Sequence, residues 1–132
     1  MSDTLLLSIL IPTLEERADS FAFIQGKLQR QIDEAGLRHR VEIVSLCDRG
    51  EMPTGKKRNA LMDKACGQFM VSVDDDDDVH DRYVPLIVNV LATNPDIDCI
   101  GIKGEVRFTG AAPRTFVYSI RYPEYRTRKG IY

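Results

Sequence analysis

Five aspartates stand in a row, Asp74-Asp75-Asp76-Asp77-Asp78, directly after the largely apolar run Gln68-Phe69-Met70-Val71-Ser72-Val73. Ionised carboxylates about 4 Å apart repel by ~1 kcal/mol even at water's dielectric, and by more in a cleft. An ordered loop of this kind needs something to offset the repulsion, and a hard divalent cation that takes carboxylate oxygens is the simplest candidate. Most charge runs are solvated loops with no task. This one sits at the carboxyl end of an apolar strand, where open α/β sheets bind their ligands. An EF-hand does not fit, because Val79 stands where the turn glycine belongs and Pro85 where the bidentate glutamate belongs. A second concentration of charge is basic: Gly55-Lys56-Lys57-Arg58-Asn59 opens a helical stretch. Its cations suit a diphosphate bridged by a metal to the aspartates; the bland alternative is a solvated helix face that neutralises them.

Two motifs are near misses. Gly50-Glu51-Met52-Pro53-Thr54-Gly55-Lys56-Lys57 has the glycine and lysine spacing of a P-loop NTPase, but Lys57 replaces the hydroxyl residue that would hold magnesium. Asp75-Asp76-Asp77-Asp78-Val79 resembles the aspartyl-nucleophile motif of haloacid-dehalogenase-like phosphatases, yet lies on the third strand where that motif belongs on the first. Both rank below a metal-and-diphosphate site.

The elements that must carry these residues alternate. Leu5–Ile11 reads as a buried strand stopped by Pro12-Thr13. Phe21, Ile24, Leu28 and Ile32 repeat at helical spacing, and Gly36 can close that helix. Val41–Cys47 is the second strand. Pro53-Thr54-Gly55 opens a helix through Cys66, and the acidic strand follows. Asp81 can cap a third helix whose Leu86, Val90 and Leu91 face the core, with Pro85 in its first turns. Strand-helix three times over predicts an α/β fold, a mostly parallel Rossmann-like sheet flanked by helices. After Asn94-Pro95 the rhythm turns to strands at Ile97–Lys103, Glu105–Thr109 and Arg114–Tyr122, a short antiparallel segment at the C-terminus with Gly110-Ala111-Ala112-Pro113 as a connection. The expected organisation is one domain, 1–132, with a βαβ core over 5–95 and a β-rich part over 96–132. The tail ends on Ile131-Tyr132, as in a cut fragment or a protein that completes its fold with a partner chain or a second copy.

Three strand ends then share one edge of the sheet: Pro12-Thr13-Leu14-Glu15-Glu16, Cys47-Asp48-Arg49-Gly50 and the aspartates. Carboxylates such as Glu15 and Asp48 suit ribose hydroxyls or a base edge. Bulk properties add exclusions. At 132 residues, 43% hydrophobic and with a net charge of −2, the chain has room for a core and no basic excess that would argue for nucleic acid. Leu5–Ile11 is too short to span a membrane and lacks a basic region before it. Cys47, Cys66 and Cys99 lack paired spacing, which suggests reduced core thiols in the cytoplasm.

Taken together, Ser8-Ile9-Leu10-Ile11-Pro12-Thr13 with Glu15, Val41 to Asp48, Gly55-Lys56-Lys57-Arg58-Asn59-Ala60-Leu61 and Val73-Asp74-Asp75-Asp76-Asp77 resemble the nucleotide-sugar-binding half of a family 2 glycosyltransferase of the A-type fold. The resemblance covers roughly residues 5 to 95. It implies an inverting, metal-dependent transfer of sugar from a nucleotide-sugar donor, often a UDP-sugar, to a saccharide or lipid-linked acceptor. It further implies that Pro12, Thr13, Glu15 and Asp48 surround the base and ribose, and that Lys57 and Arg58 approach the diphosphate. By the same resemblance Asp74 and Asp76 would be the DxD pair, with Asp76 the first choice as ligand of Mn²⁺ or Mg²⁺. Asp77 stays open as an alternative ligand, and Asp75 as a ribose or sugar contact. The setting implied is cytoplasmic, at the inner face of a membrane. The family's catalytic base lies well beyond the acidic loop, and no residue here matches it. A non-catalytic nucleotide-binding module acting with a partner protein is therefore the competing expectation.

Overall fold

The computed structural model describes residues 5–94 and 96–99, together with the strands Ile102–Val106 and Arg114–Tyr118. The chain divides into two compact units, Met1–Asn94 and Pro95–Tyr132. The first holds a parallel sheet in the order β2-β1-β3, formed by β1 (Leu7–Leu14), β2 (Val41–Asp48) and β3 (Phe69–Ser72). Three helices join and follow them: α1 (Ala18–Glu34), entered through a 3₁₀ turn at Glu15–Arg17, α2 (Thr54–Lys64) and α3 (Tyr83–Thr93). This is the Rossmann-like α/β arrangement that the alternation predicts.

β1 is the central strand, and its residues Leu7 to Ile11 are buried on both faces. A continuous apolar run is what a parallel strand covered on both sides requires. The chain steps from β1 to β2 in one direction and from β2 across to β3 in the other. Right-handed crossovers then set α1 and α2 on opposite faces. A cleft opens at the reversal, between the loops that leave β1 and β3.

β1 runs three residues past the expected stop, through Pro12 to Leu14. The reason is local. Val73 N–H donates to Leu10 C=O as β3 ends, and alternate strand residues offer their polar groups to the same side. Pro12 thus lacks its N–H on the side that β3 has just left, where no ladder bond is needed. β2 still pairs there, with Thr13 opposite Cys47 and Leu14 opposite Asp48.

Helix α1 buries Ile24, Leu28 and Ile32, and Gly36 ends it at φ +67°, a left-handed conformation that glycine adopts without strain. In α3 the expected details change. Arg82, not Asp81, precedes the helix, and Val84, Val88 and Leu91 are buried while Leu86 is half exposed. The cap comes from another helix. Gln31 of α1 accepts from Val84 N–H (2.8 Å) and donates to His80 C=O (3.0 Å). Tyr83 N–H donates to His80 C=O and Leu86 N–H to Arg82 C=O, and Pro85 has no N–H to place. The first turn is thereby satisfied without an aspartate cap.

The cysteines also depart from expectation. Cys47, Cys66 and Cys99 are free but exposed, since Cys47 lies on β2 at the rim of the sheet and Cys66 in the loop after α2.

In the second unit Ile102–Val106 (β4) pairs antiparallel with Arg114–Tyr118 (β5), and Gly104 lies opposite Phe116. One strand occupies the position where a break between Lys103 and Glu105 was expected, because a glycine in a strand weakens the ladder without interrupting it. Ile97–Cys99 belongs to no element. The Gly110–Pro113 connection, Arg107 to Thr109, Ser119 to Tyr122 and the tail lie outside the described residues. No helix among the described residues is long and apolar enough to cross a membrane.

Candidate functional site

A cavity of about 480 Å³ opens at the carboxyl edge of the sheet, within the first unit. Its walls come from three places: the end of β1 with Thr13 and Arg17, the start of α2 with Thr54, Lys57 and Arg58, and the acidic loop with Asp74, Asp75 and Asp76. The topology explains the meeting. β1 and β2 end in register at Leu14 and Asp48, and β3 ends beside Leu10, so everything that follows these strands shares one rim.

The acidic run is not uniform. Asp75 is only 3% exposed and points inward. Thr13 Oγ1 donates to its Oδ2 at 2.8 Å, and Arg17 Nη1 donates to its Oδ1 at 3.1 Å. Asp74, Asp76 and Asp77 point outward, each exposed, and offer oxygens that all lie within 4.8 Å of one another. A turn holds them, with Asp77 N–H donating to Asp74 C=O at 3.1 Å. Partial desolvation by its neighbours, and then the charges of Asp74 and Asp76, push the exposed Asp77 carboxyl above its ordinary value. Asp78 lies away from this group and pairs with Lys27 at 2.7 Å.

The basic residues also divide. Lys57 is buried, 5% exposed, and its Nζ donates to Thr13 C=O at 2.7 Å and to Asp48 Oδ1. It ties α2 to the ends of β1 and β2 beneath the cavity. Asp48 in turn accepts from Met52 N–H (2.9 Å) and Gly50 N–H (3.2 Å). Its hydrogen bond with Lys57 is the main reason its carboxyl sits below the ordinary aspartate value. Arg58 stays half exposed on the cavity wall, with Nη2 3.2 Å from Asp74 Oδ1. Lys56 is exposed and does not line the cavity. Glu15 is exposed and pairs with Arg49 at 2.9 Å.

The structure therefore brings Pro12, Thr13, Lys57, Arg58, Asp74, Asp75 and Asp76 around one cavity. Asp48 meets it through Lys57, while Asp77 belongs to the outward carboxylate group and Glu15 stands apart. Two wall residues with polar side chains, Arg17 and Thr54, are not among the site residues expected from sequence. Arg17 lies four residues past Thr13, in the loop that leaves the first strand, and that position was the available signal. Thr54 sits in the first turn of α2, whose start no side chain caps. A helix start following a strand end is itself an anion-binding signal. The burial of Lys57 could have been read from its i, i+4 spacing to Leu61, since the two are the buried residues of α2.

No protein-family model, no curated protein and no solved structure matches the chain.

Proposed function

We propose that the first unit is the donor site of a metal-dependent glycosyltransferase, binding the diphosphate of a nucleotide sugar between the acidic loop and the start of α2. One observation supports this above the rest. A single cavity has exposed carboxylates on one wall and, on another, an arginine with an uncapped helix start. Helix N-termini and arginine favour phosphate oxygens, and carboxylate clusters favour hard cations. A ligand carrying both, a nucleoside diphosphate with its metal, matches the two walls together.

The outward oxygens of Asp74, Asp76 and Asp77 form an all-carboxylate donor set that fits Mn²⁺ or Mg²⁺. Bound there, such a cation would stabilise negative charge on the departing nucleoside diphosphate. Arg58 would hold the diphosphate from α2, and Pro12, Thr13 and the Asp48 end of β2 would border the base and ribose. Lys57 acts beneath them by fixing the strand ends. The acceptor in this reading is a saccharide or lipid-linked sugar reached from the cytoplasmic side of a membrane, with UDP-sugars the leading donors.

A second reading, a nucleotide-binding module that works with a partner protein, is favoured by the cavity lining. Among the described residues, the carboxylates that line the cavity are those of the acidic loop, and none in that lining is set apart from the loop to deprotonate an acceptor hydroxyl.

A thermal-shift panel of nucleoside diphosphates with and without Mn²⁺ tests both, since a ligand at about 100 times its Kd adds ~2.7 kcal/mol of stability. A metal-dependent shift that Asp76→Ala abolishes is expected. No shift with any nucleotide would overturn both readings. Turnover of a UDP-sugar with Mn²⁺ selects the enzyme, and binding without turnover selects the module.

A further inference from the structure

Within the acidic run, the buried residue is the one that faces away from the others. Asp75 is 3% exposed and has both carboxylate oxygens engaged, by the Thr13 hydroxyl at 2.8 Å and by Arg17 at 3.1 Å. Thr13 is likewise buried, at 3%. Arg17 reaches further, standing 3.8 Å from Asp76 Oδ2. The acidic loop is thus pinned to the end of β1 at its second residue, and that pin decides which carboxylates turn outward.

We propose that Asp75 is a positioning residue, locked by Thr13 and Arg17, that presents Asp74, Asp76 and Asp77 as one cation-binding group without touching the cation itself. The inference rests on the donor-site reading above. Its physical basis is the repulsion among the outward carboxylates. Their oxygens lie within 4.8 Å of one another, a spacing that like charges leave unless the backbone beneath them is held. The inward anchor holds it, and Arg17 offsets part of the charge on Asp76. Groups that orient metal ligands from behind typically contribute 10- to 100-fold to affinity (roughly).

Electron paramagnetic resonance titration of free Mn²⁺, without nucleotide, tests the proposal. Asp75→Ala should weaken Mn²⁺ binding by about tenfold or more. Asp75→Asn should recover most of that loss. Its amide oxygen can accept from Arg17 and its amide N–H can donate to the Thr13 hydroxyl, which is able to reverse its role. Where the alanine variant fails to fold by circular dichroism, Thr13→Val keeps the volume, removes one of the two bonds, and should weaken binding in the same direction. Asn as weak as Ala would make Asp75 a charge-bearing ligand and overturn the proposal. So would wild-type affinity in both Asp75→Ala and Thr13→Val. A wild-type chain that binds no Mn²⁺ overturns the donor-site reading instead, an outcome distinct from either.

Discussion

Lys57 keeps its ammonium group at 5% exposure because oxygen from two strands surrounds it, Thr13 C=O at the end of β1 and Asp48 at the end of β2. Removing one partner of such a pair leaves the other polar and less well solvated, which costs more than the pair itself contributes. Lys57→Met should therefore lower the urea midpoint at neutral pH with little change in slope. The pH dependence has a definite sign. Asp48 is held below its ordinary value, chiefly by Lys57, so the stabilisation is fully present above about pH 3.9, the unfolded value. It is lost as pH falls through the lower, folded value. Urea melts between pH 7 and the acid limit should show this loss in the wild type, and Lys57→Met should lack that component. At this scale sequence is an uneven guide. The acidic run was readable with its register open by one, but the inward turn of Asp75 depends on Thr13 and Arg17, 62 and 58 residues away. No local pattern encodes partners at that separation.

The connection from α2 to β3 is fastened at the opposite end of β1 from the cavity. Ser8 Oγ donates to Glu42 Oε2 at 2.6 Å and accepts from Gly67 N–H at 2.8 Å, while the same glutamate oxygen accepts from Cys66 N–H at 2.7 Å. Gly67 is packed so closely that an added Cβ would lie 2.7 Å from Ser8 N and 2.8 Å from the Leu7 carbonyl carbon. Backbone obstacles cannot swing aside as a side chain can. Gly67→Ala should destabilise the first unit by about 1–3 kcal/mol, the usual range for forced overpacking, read as a lower midpoint in chemical denaturation. In the sequence Gly67 merely follows the helix expected through Cys66; its tight approach to β1 emerges only when the sheet is assembled. Strand and helix order was legible throughout the first unit, because buried runs and helical spacing are local signals. Boundaries were not, where β1 outlasted Pro12 and where α3 took its cap from Gln31 in place of Asp81.

At the scale of the whole chain, every described residue lining the cavity falls within Met1–Asn94. Among the described residues, that unit carries the three parallel strands and the three α-helices. A fragment of residues 1–94 should therefore fold, as judged by circular dichroism, and shift in melting temperature with the same nucleotide and Mn²⁺ combinations as the full chain. A fragment that folds yet shows no shift where the full chain does would place part of the binding site in Pro95–Tyr132. Within the first unit the aspartates hang between two layers. Upstream, β3 is hydrogen-bonded into the sheet; downstream, the Gln31 amide joins α1 to the start of α3, and Lys27 of α1 pairs with Asp78 and Asp81. The span therefore behaves like a string fixed at both bridges of an instrument and stopped once between them, at Asp75. Its pitch is set as much by the far peg as by the note played, and a change at Gln31, remote from any ligand, would detune it.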